Sequence, residues 1–427
     1  MNSRVDTVEL ANSVLETRGK CELKCIGMSM YPHIKDSDIL GVKRVDRLQV
    51  GDIVVVERGM DQLEAHRVRG ITDTGNAIAR GDNSFGLSAP TGQERILGKV
   101  TYRKRNGSVK KLQFEEVGEI FENVFILSED LFMIRQLSYS PPPSAGHISL
   151  TRLAAKAEYH GIGPLLFRLL ANSNNINETI VPASLFKQVY LSTKRQYKKH
   201  YKCLSMIIST LESSGVEVIV HKGMAIASPV YGDIGVRPMV DIDLLVRPRD
   251  TQKLKMVLAC SDLPLSDFQH DGFTFGDRSN RCLVDLNYRL GGKFEQTGWI
   301  PVLQQEMELD EIWARSRVEE LDGIKARVLS PEDHLLHMTL HSLAHIQEGR
   351  ARLIWLVDIQ KCIEASMGHL DWNLLLDVAN RARFQKELLA FLLMVDKLLG
   401  IQDLPLKKEQ SYSSLTQEYM LLVLALL

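Results

Sequence analysis

The sequence predicts a multidomain protein: a small, mostly β domain followed by an α/β (α+β) domain with large helical additions. Short apolar runs separated by Gly and Asp recur from residue 20 to 115, and Asn106-Gly107 between two of them indicates a two-residue hairpin. Beyond about 115 the apolar spacing becomes helical, apart from a β-like segment within 214–290. A chain of 427 residues has room for two or three domains.

These changes of pattern divide the chain into four parts. We expect an N-terminal helix at 1–19, a mostly β domain at 20–115, a helix and Pro-rich linker at 116–147, and an α/β domain at 148–427. The last domain has its core at 214–290 and a helical part at 300–427. Because the two domains differ in periodicity, we expect them to fold separately.

Composition narrows the class of protein. Apolar residues make up 44% and charged residues 25%, which is globular composition. A formal net charge of −1 provides no basic field, so no stable DNA binding is expected. Six cysteines without zinc-ligand spacing suit a reducing compartment. No apolar run approaches the ~20 residues that span a bilayer. We therefore expect a cytoplasmic protein without a transmembrane segment.

Two carboxylates stand two positions apart in the apolar run Met239-Val-Asp-Ile-Asp-Leu-Leu-Val246. Residues i and i+2 of a strand share a face, so Asp241 and Asp243 project together and repel unless a cation binds. Lys222-Gly223 follows the preceding β-like run, and Gly lets backbone N–H groups approach a phosphate. This combination predicts metal-assisted phosphoryl or nucleotidyl transfer.

The same stretch resembles the nucleotidyltransferase superfamily, whose mark is a small Gly motif followed by Asp-x-Asp on a strand. Within it, the chain is similar to a family of largely uncharacterised bacterial nucleotidyltransferases. The similarity is carried by Lys222-Gly223, Tyr231, Arg237 and residues 241–246. The resemblance implies a third carboxylate on a later strand, which Asp285 fits by residue type and period-two pattern.

The resemblance also implies cofactor, substrate and site residues. Asp241, Asp243 and Asp285 would hold two Mg²⁺ ions, and Asp285 would also take the proton of the acceptor. A nucleoside triphosphate would be the substrate, with Lys222, Gly223 and Arg237 against its phosphates. Two positions depart from the pattern. Met224 stands where the superfamily usually has Ser, and Asn287 stands where the family often has His.

Four motifs of the first domain carry a second resemblance. In order they are Gly27-Met-Ser29-Met-Tyr-Pro32, Gly51-Asp-Ile-Val, Ala65-His66-Arg67-Val68 and Arg80-Gly81-Asp82-Asn83. They resemble the LexA/signal-peptidase superfamily of serine peptidases, which implies a peptide or protein substrate.

This second resemblance implies Ser29 as the nucleophile and His66 as its base. A Ser hydroxyl is a poor nucleophile until a base takes its proton, and neutral His does so near pH 7. The acid that usually follows Gly-Asp-Asn in His-type members is missing, which leaves Asp82 as the nearest candidate to orient His66.

Three interpretations of the whole chain stay open at this stage. It is a bifunctional nucleotidyltransferase and serine endopeptidase, or a transferase whose first domain only binds and presents a peptide, or a transferase fold without activity. A stripe of histidines at positions 337, 341 and 345 also leaves three alternatives: metal binding, lining of the nucleotide cleft, or packing.

Overall fold

The structure is a computed structural model of the chain. It describes residues 7–31, 33–58, 62–84, 90–112, 118–121, 124–138, 148–172, 181–261, 263, 265–266, 272–275, 281–290, 309–347, 350–401, 404–406 and 413–426.

The strands of the described residues are β1 Lys20–Lys24, β2 Ile39–Lys43, β3 Ile53–Glu57, β4 Leu63–Ile71, β5 Ala77–Arg80, β6 Pro90–Thr91, β7 Ile96–Arg105, β8 Ser108–Lys111, β9 Gly118–Phe121, β10 Val124–Leu127, β11 Ile219–His221, β12 Asp241–Leu245, β13 Leu265–Ser266, β14 Gly272–Phe275, β15 Cys282–Asn287, β16 Arg317–Leu321 and β17 Ile324–Val328. The helices are α1 Thr7–Arg18, α2 Ser128–Leu137, α3 Leu150–Tyr159, α4 Gly163–Asn172, α5 Lys187–Ser213, α6 Gly223–Ile226, α7 Thr251–Ala259, α8 Leu309–Arg315, α9 Pro331–Gln347, α10 Leu353–Ser366, α11 Trp372–Arg381, α12 Gln385–Leu399 and α13 Ser413–Leu426.

An antiparallel sheet forms the N-terminal domain. Its strand order is β1-β2-β7-β3-β4-β5-β6, with β8 paired to β7. The β7–β8 turn is Asn106-Gly107, with φ of 48° and 77°, which is the left-handed conformation that a tight hairpin turn requires. The predicted hairpin is confirmed.

The helix predicted at the start of the segment 116–147 begins later than expected. Strands β9 and β10 form a two-stranded hairpin, and α2 begins only at Ser128. The run Val124-Phe-Ile-Leu127 is short and rich in β-formers, and its Val124, Ile126 and Leu127 are buried in the main apolar core or beside it. The Pro-rich segment 139–147 lies outside the described residues.

A mixed sheet forms the centre of the second domain. Its order is β13-β14-β15-β12-β11-β17-β16, with β12 parallel to β15 and β11 parallel to β17. Helices α5 and α7 pack on one face of this sheet, and apolar side chains of both the strands and the helices form the core between them. Helices α9 to α13 build a second, larger core. The predicted fold class, a small β-rich domain followed by an α/β domain with many helices, is confirmed.

One hairpin lies where the sequence was expected to be helical. Strands β16 and β17 extend the sheet and are joined by Asp322-Gly323, with φ of 50° and 96°. Asp-Gly between two alternating runs is a strong hairpin signal that the sequence already contained. Tyr197 of α5 donates a hydrogen bond of 2.6 Å to the Asp322 carboxylate, which fixes this hairpin to the sheet's helical layer.

The two domains are joined by a shared apolar core. Ile78 of β5 belongs to the same buried cluster as the strand β10 and the helices α9, α10 and α12. Leu421 of α13 lies so close to β4 that a Cβ built on Gly70 would be 2.3 Å from its Cδ1. This shared core argues against separate folding. Among the helices that the structure describes, none has the length and apolar composition to cross a bilayer.

Ile78→Ala is expected to destabilise both domains. Removing a buried side chain of this size costs about 2–5 kcal/mol, and here the cavity opens into the helical core. Hydrogen exchange should therefore accelerate in α10 and α12 as well as in β5. Val54→Ala is the matched control, because Val54 belongs to a separate apolar cluster formed by residues of the N-terminal domain. Equal helix protection in the two variants would contradict a shared core.

Candidate active site

Strand register brings the predicted carboxylates to one face of the central sheet. Asp243 on β12 lies opposite Asp285 on the parallel strand β15, and opposite His221 on the antiparallel strand β11. Residues paired across neighbouring strands project from the same face. Asp241, two positions before Asp243, shares that face. The three carboxylates and His221 form what we call the carboxylate row.

The carboxylate row is graded from buried to exposed. Asp243 is only 3% exposed, Asp241 is partly exposed and Asp285 is exposed. Burial raises the pKa of Asp243, and the charge of Asp241 adds to this effect, while Lys222 opposes it. Such a carboxylate requires a cation beside it if it is to stay ionised.

Lys222 supplies that cation in this structure. Its Nζ donates to Asp243 Oδ1 at 2.6 Å, and Asn287 Nδ2 contacts the same oxygen at 3.4 Å. The Lys222 backbone has a φ of 51°, which is costly for a residue with a side chain, and its N–H donates to His334 Nε2 at 3.2 Å. The unusual backbone therefore turns the ammonium toward the row.

Gly223 and Arg237 are close neighbours behind this turn. A Cβ on Gly223 would lie 2.8 Å from Arg237 Nη1, so the glycine is needed for the approach of a guanidinium. Arg237 donates from Nε at 3.2 Å and from Nη2 at 2.7 Å to Asp358 of α10, and from Nη1 to the Pro238 carbonyl. Tyr231 donates to the same carboxylate at 2.6 Å.

Arg237 thus connects the Lys222-Gly223 turn to α10. Burial opposes its charge, but Asp358 more than offsets burial, and the pKa of Arg237 is raised. The predicted phosphate contact of Arg237 would require part of this ion pair to open. The ion pair with Asp358 explains why position 237 is an arginine. Asp358 is distant from Arg237 along the chain.

The donor set fits a hard divalent cation. Asp241, Asp243 and Asp285 offer carboxylate oxygens, which Mg²⁺ prefers, and Asp243 already binds a positive charge. As the side chains stand in the described part of the chain, no three His, Cys, Asp or Glu groups converge closely enough to coordinate an ion. The two predicted Mg²⁺ ions stay a prediction.

The histidine stripe of α9 forms a stack of rings. His337 meets His221 edge-on, with ring centroids 5.0 Å apart, and His341 and His345 follow at 6.4 and 4.5 Å. His345 stacks on Trp355 of α10 at 4.7 Å. Burial lowers the pKa of both His337 and His341 well below the usual value, so these rings are neutral at pH 7. These buried ring contacts support the packing alternative, and lining of a nucleotide cleft stays a prediction.

Two of the four motifs of the N-terminal domain meet at Ser29. Ser29 is exposed in the turn after β1. The Asn83 backbone N–H donates to the Ser29 carbonyl at 2.7 Å, and a Cβ on Gly81 would lie 2.5 Å from that oxygen. The Gly-Asp-Asn motif therefore supports the serine turn. Pro32 lies outside the described residues.

His66 lies on β4 with its side chain 13% exposed. Burial lowers its pKa, although the charge of Glu64 opposes this, so the ring is neutral at pH 7. Its Nε2 lies 3.7 Å from the Glu64 carboxylate, while its Nδ1 has no hydrogen-bond partner among the described residues. Glu64 was missed by sequence reasoning, although its i−2 position on a strand places it on the face of His66.

Asp82 does not orient His66 in this structure. Its two carboxylate oxygens accept hydrogen bonds from Arg67 at 2.9 and 2.7 Å, and Arg69 lies 3.8 Å away. Burial alone would raise the pKa of Asp82, but Arg67 and Arg69 hold it at about 2. Arg67 is next to His66 on β4 and projects to the opposite face of the strand. Asp82, which binds Arg67, is therefore on the side away from His66.

The buried charges continue into the domain junction. Lys156 of α3 donates to Asp130 of α2 at 2.8 Å, and both are almost wholly buried. Burial lowers the pKa of Lys156 to about 8, although Asp130 opposes the shift, and burial lowers that of Arg69 to about 10. We call Arg67, Arg69, Arg80, Asp82, Asp130 and Lys156 the junction cluster, because it links β4 and β5 to α2 and α3.

Asp82→Asn should destabilise the protein by about 3–5 kcal/mol at pH 7, because Arg67 then stays buried without its countercharge. Urea unfolding measures the difference. The pKa of Asp82 lies below its unfolded value near ~3.9, so this stabilisation is complete above that pH and is lost as the pH falls toward about 2. The gap between wild type and variant should therefore close on acidification.

Glu64→Gln is the control for this prediction. Glu64 is an exposed neighbour of His66 outside the Arg67–Asp82 pair, so the unfolding midpoint of Glu64→Gln should stay near that of wild type. A destabilisation of Asp82→Asn no larger than that of Glu64→Gln would refute the structural role of Asp82.

Comparisons with known proteins cover the motifs of the second domain and the first three of the four motifs of the N-terminal domain. A family model described as "Uncharacterised nucleotidyltransferase" matches residues 147–400, and one described as "Peptidase S24-like" matches residues 1–78. No curated protein matches the chain. The two resemblances seen in the motifs are confirmed at the level of these families.

Solved structures with similarity to the chain include nucleotidyltransferases of low identity. The solution structure of the antibiotic-resistance factor ANT(2'')-Ia is 14% identical, with 45% of this chain and 94% of that chain covered and a TM-score of 0.29. An antigenic nucleotidyltransferase-like protein from Paracoccidioides brasiliensis is also 14% identical, with 51% and 95% covered and a TM-score of 0.26.

Proposed function

Because the chain belongs to the uncharacterised nucleotidyltransferase family, we propose that its α/β domain transfers a nucleoside monophosphate from a nucleoside triphosphate to an acceptor hydroxyl. The observation that carries this proposal is the carboxylate row. Asp243 and Asp285 are in register on neighbouring parallel strands, and Asp241 shares their face. A buried acid beside a more exposed one is a suitable arrangement for holding cations against a charged substrate.

The row's oxygens are the groups that would hold Mg²⁺. When bound, two such ions would neutralise triphosphate charge and stabilise the attacking and leaving oxygens of an in-line displacement. Asp243 would be the innermost ligand, since it is buried and already has a cation at 2.6 Å. Asn287, which contacts the same oxygen, would hold that carboxylate in its orientation.

Lys222 is the better of the two candidate phosphate contacts. Its ammonium is partly exposed and sits on a flexible stem, so it can leave Asp243 for an incoming phosphate. Arg237 is committed on all three nitrogens to Asp358 and the Pro238 carbonyl. We assign Arg237 mainly to holding the Lys222-Gly223 turn in place.

Asp285 would accept the proton of the acceptor hydroxyl. It is the exposed member of the row, so an acceptor can reach it from solvent. A carboxylate beside Asp243 can take that proton as the hydroxyl attacks, and Asp243 itself is too buried for the task. The neutral rings of the α9 stripe border this face through His221 and add no competing charge.

Asp243→Asn should abolish Mg²⁺-dependent binding of nucleoside triphosphate and lower transfer by at least ~10²-fold, because the innermost anionic ligand is lost. Calorimetry with Mg²⁺ and each nucleoside triphosphate measures binding. Asp377→Asn, on the exposed surface of α11, is the matched control and should bind as wild type does. Equal binding by Asp243→Asn, or no binding of any triphosphate to wild type, would refute the proposal.

For the N-terminal domain we propose a serine endopeptidase with Ser29 as nucleophile and His66 as base. Ser29 is exposed on a turn that Gly81 and Asn83 contact, and the His66 ring is neutral at pH 7. The Glu64 carboxylate lies 3.7 Å from His66 Nε2 and would take the orienting role that the sequence assigned to Asp82. The rival proposal, a module that only binds a peptide and presents it to the transferase, predicts the same exposed surface without a reactive hydroxyl.

An acylating or phosphonate probe separates the two proposals. We expect the probe to label Ser29 in wild type, while Ser29→Ala stays unlabelled and Ser84→Ala, on the adjoining turn, labels normally. His66→Ala should slow labelling by about 10³-fold, because the hydroxyl then lacks a proton acceptor. Labelling that is absent from wild type, or insensitive to His66→Ala, would favour the peptide-binding module.

A further inference from the structure

Two buried cysteines face each other beneath the carboxylate row. Cys203 of α5 is 4% exposed, and Cys282, the first residue of β15, is 1% exposed. The Cys203 thiol donates to the Cys282 sulfur, and the two Sγ atoms are 2.7 Å apart. A disulfide bond is about 2.05 Å long, so a small rotation of two side chains would bring the sulfurs to bonding distance.

The contact makes the two thiols chemically unequal. The hydrogen bond from Cys203 lowers the pKa of Cys282, against the effect of burial, and the same bond raises the pKa of Cys203. Lys199, one helical turn before Cys203, favours the thiolate form of both residues. Of the two thiols, Cys282 is therefore the one that loses its proton more readily, and we assign it the role of nucleophile.

We propose that Cys203 and Cys282 are a modification site at which hydrogen peroxide converts the two thiols into a disulfide. The Cys282 thiolate attacks one peroxide oxygen, the O–O bond breaks, and hydroxide leaves and takes a proton to become water. The resulting Cys282 sulfenic acid is attacked by the Cys203 sulfur, which forms the S–S bond and releases a second water. Two thiols are oxidised, and one peroxide is reduced to two waters.

The burial of both sulfurs limits which oxidants can reach them, and the position of Cys282 on β15 determines which elements a disulfide would link. Both sulfurs are nearly inaccessible, which favours an oxidant as small as hydrogen peroxide over a bulky disulfide. Cys282, Val284 and Leu286 face the core, while Asp285 faces the opposite side of β15. The disulfide would therefore tie the strand of Asp285 to α5 without entering the carboxylate row. This proposal does not depend on the proposed transferase activity.

Peptide mapping of the full chain tests it. Protein exposed to hydrogen peroxide is unfolded with an alkylating reagent present and digested with trypsin without reduction. Both cysteines directly follow a trypsin site, so the cross-link joins peptide 203–222 to peptide 282–289. We expect this species in wild type and in Cys260→Ser, which removes an exposed thiol. Cys203→Ser should lack it and leave Cys282 as a sulfenic acid or a higher oxide.

A second measurement uses wild type alone. The oxidised protein should unfold at a higher temperature than the reduced protein, because the cross-link closes a long loop, and dithiothreitol should reverse the shift. Recovery of both peptides in alkylated form, under conditions that oxidise Cys260, would overturn the proposal. So would a cross-link from Cys282 to any cysteine other than Cys203.

Discussion

The second domain is organised around one buried anion, the carboxylate of Asp243. An ionised group that is 3% exposed is stable only with a counter-charge at hydrogen-bond distance, and Lys222 provides it at 2.6 Å. That requirement explains the strained φ of Lys222, since the backbone must turn back toward β12 at the end of β11. It also explains why the residue after it is a glycine, because Arg237 fills the space that a Cβ would need.

The Arg237–Asp358 pair extends this constraint into the helical part. Asp358 accepts from both Arg237 and Tyr231, so one carboxylate of α10 fixes two points of the loop that leads into β12. Bidentate arginine pairs are rigid as well as strong. The helices thereby hold the Lys-Gly turn against the carboxylate row. The position of the carboxylate row relative to Lys222 therefore depends on the helical part through the Arg237–Asp358 pair.

The sequence predicts interactions between residues that are close along the chain better than interactions between distant ones. Asp241, Asp243 and Asp285 could be placed on one face because strand alternation is local and β15 shows the same period. The Asp322-Gly323 hairpin has an equally local signal, which the prediction of a helical part at 300–427 does not use. The role of Arg237 could not be predicted, since its partner Asp358 is 121 residues away and no local pattern joins them. Thiol contact between Cys203 and Cys282 was hidden for the same reason.

Asp82 cannot both neutralise Arg67 and orient the His66 ring. Arg67 is buried, so its charge needs a carboxylate beside it, and both oxygens of Asp82 accept hydrogen bonds from it. The junction cluster continues through Asp130 and Lys156, so the acid of the Gly-Asp-Asn motif is part of the contact between the domains. An acid committed in this way cannot also hold the His66 ring. Glu64, whose carboxylate lies 3.7 Å from His66 Nε2, is the acid that we propose in its place, and its exposure to solvent makes that interaction weak.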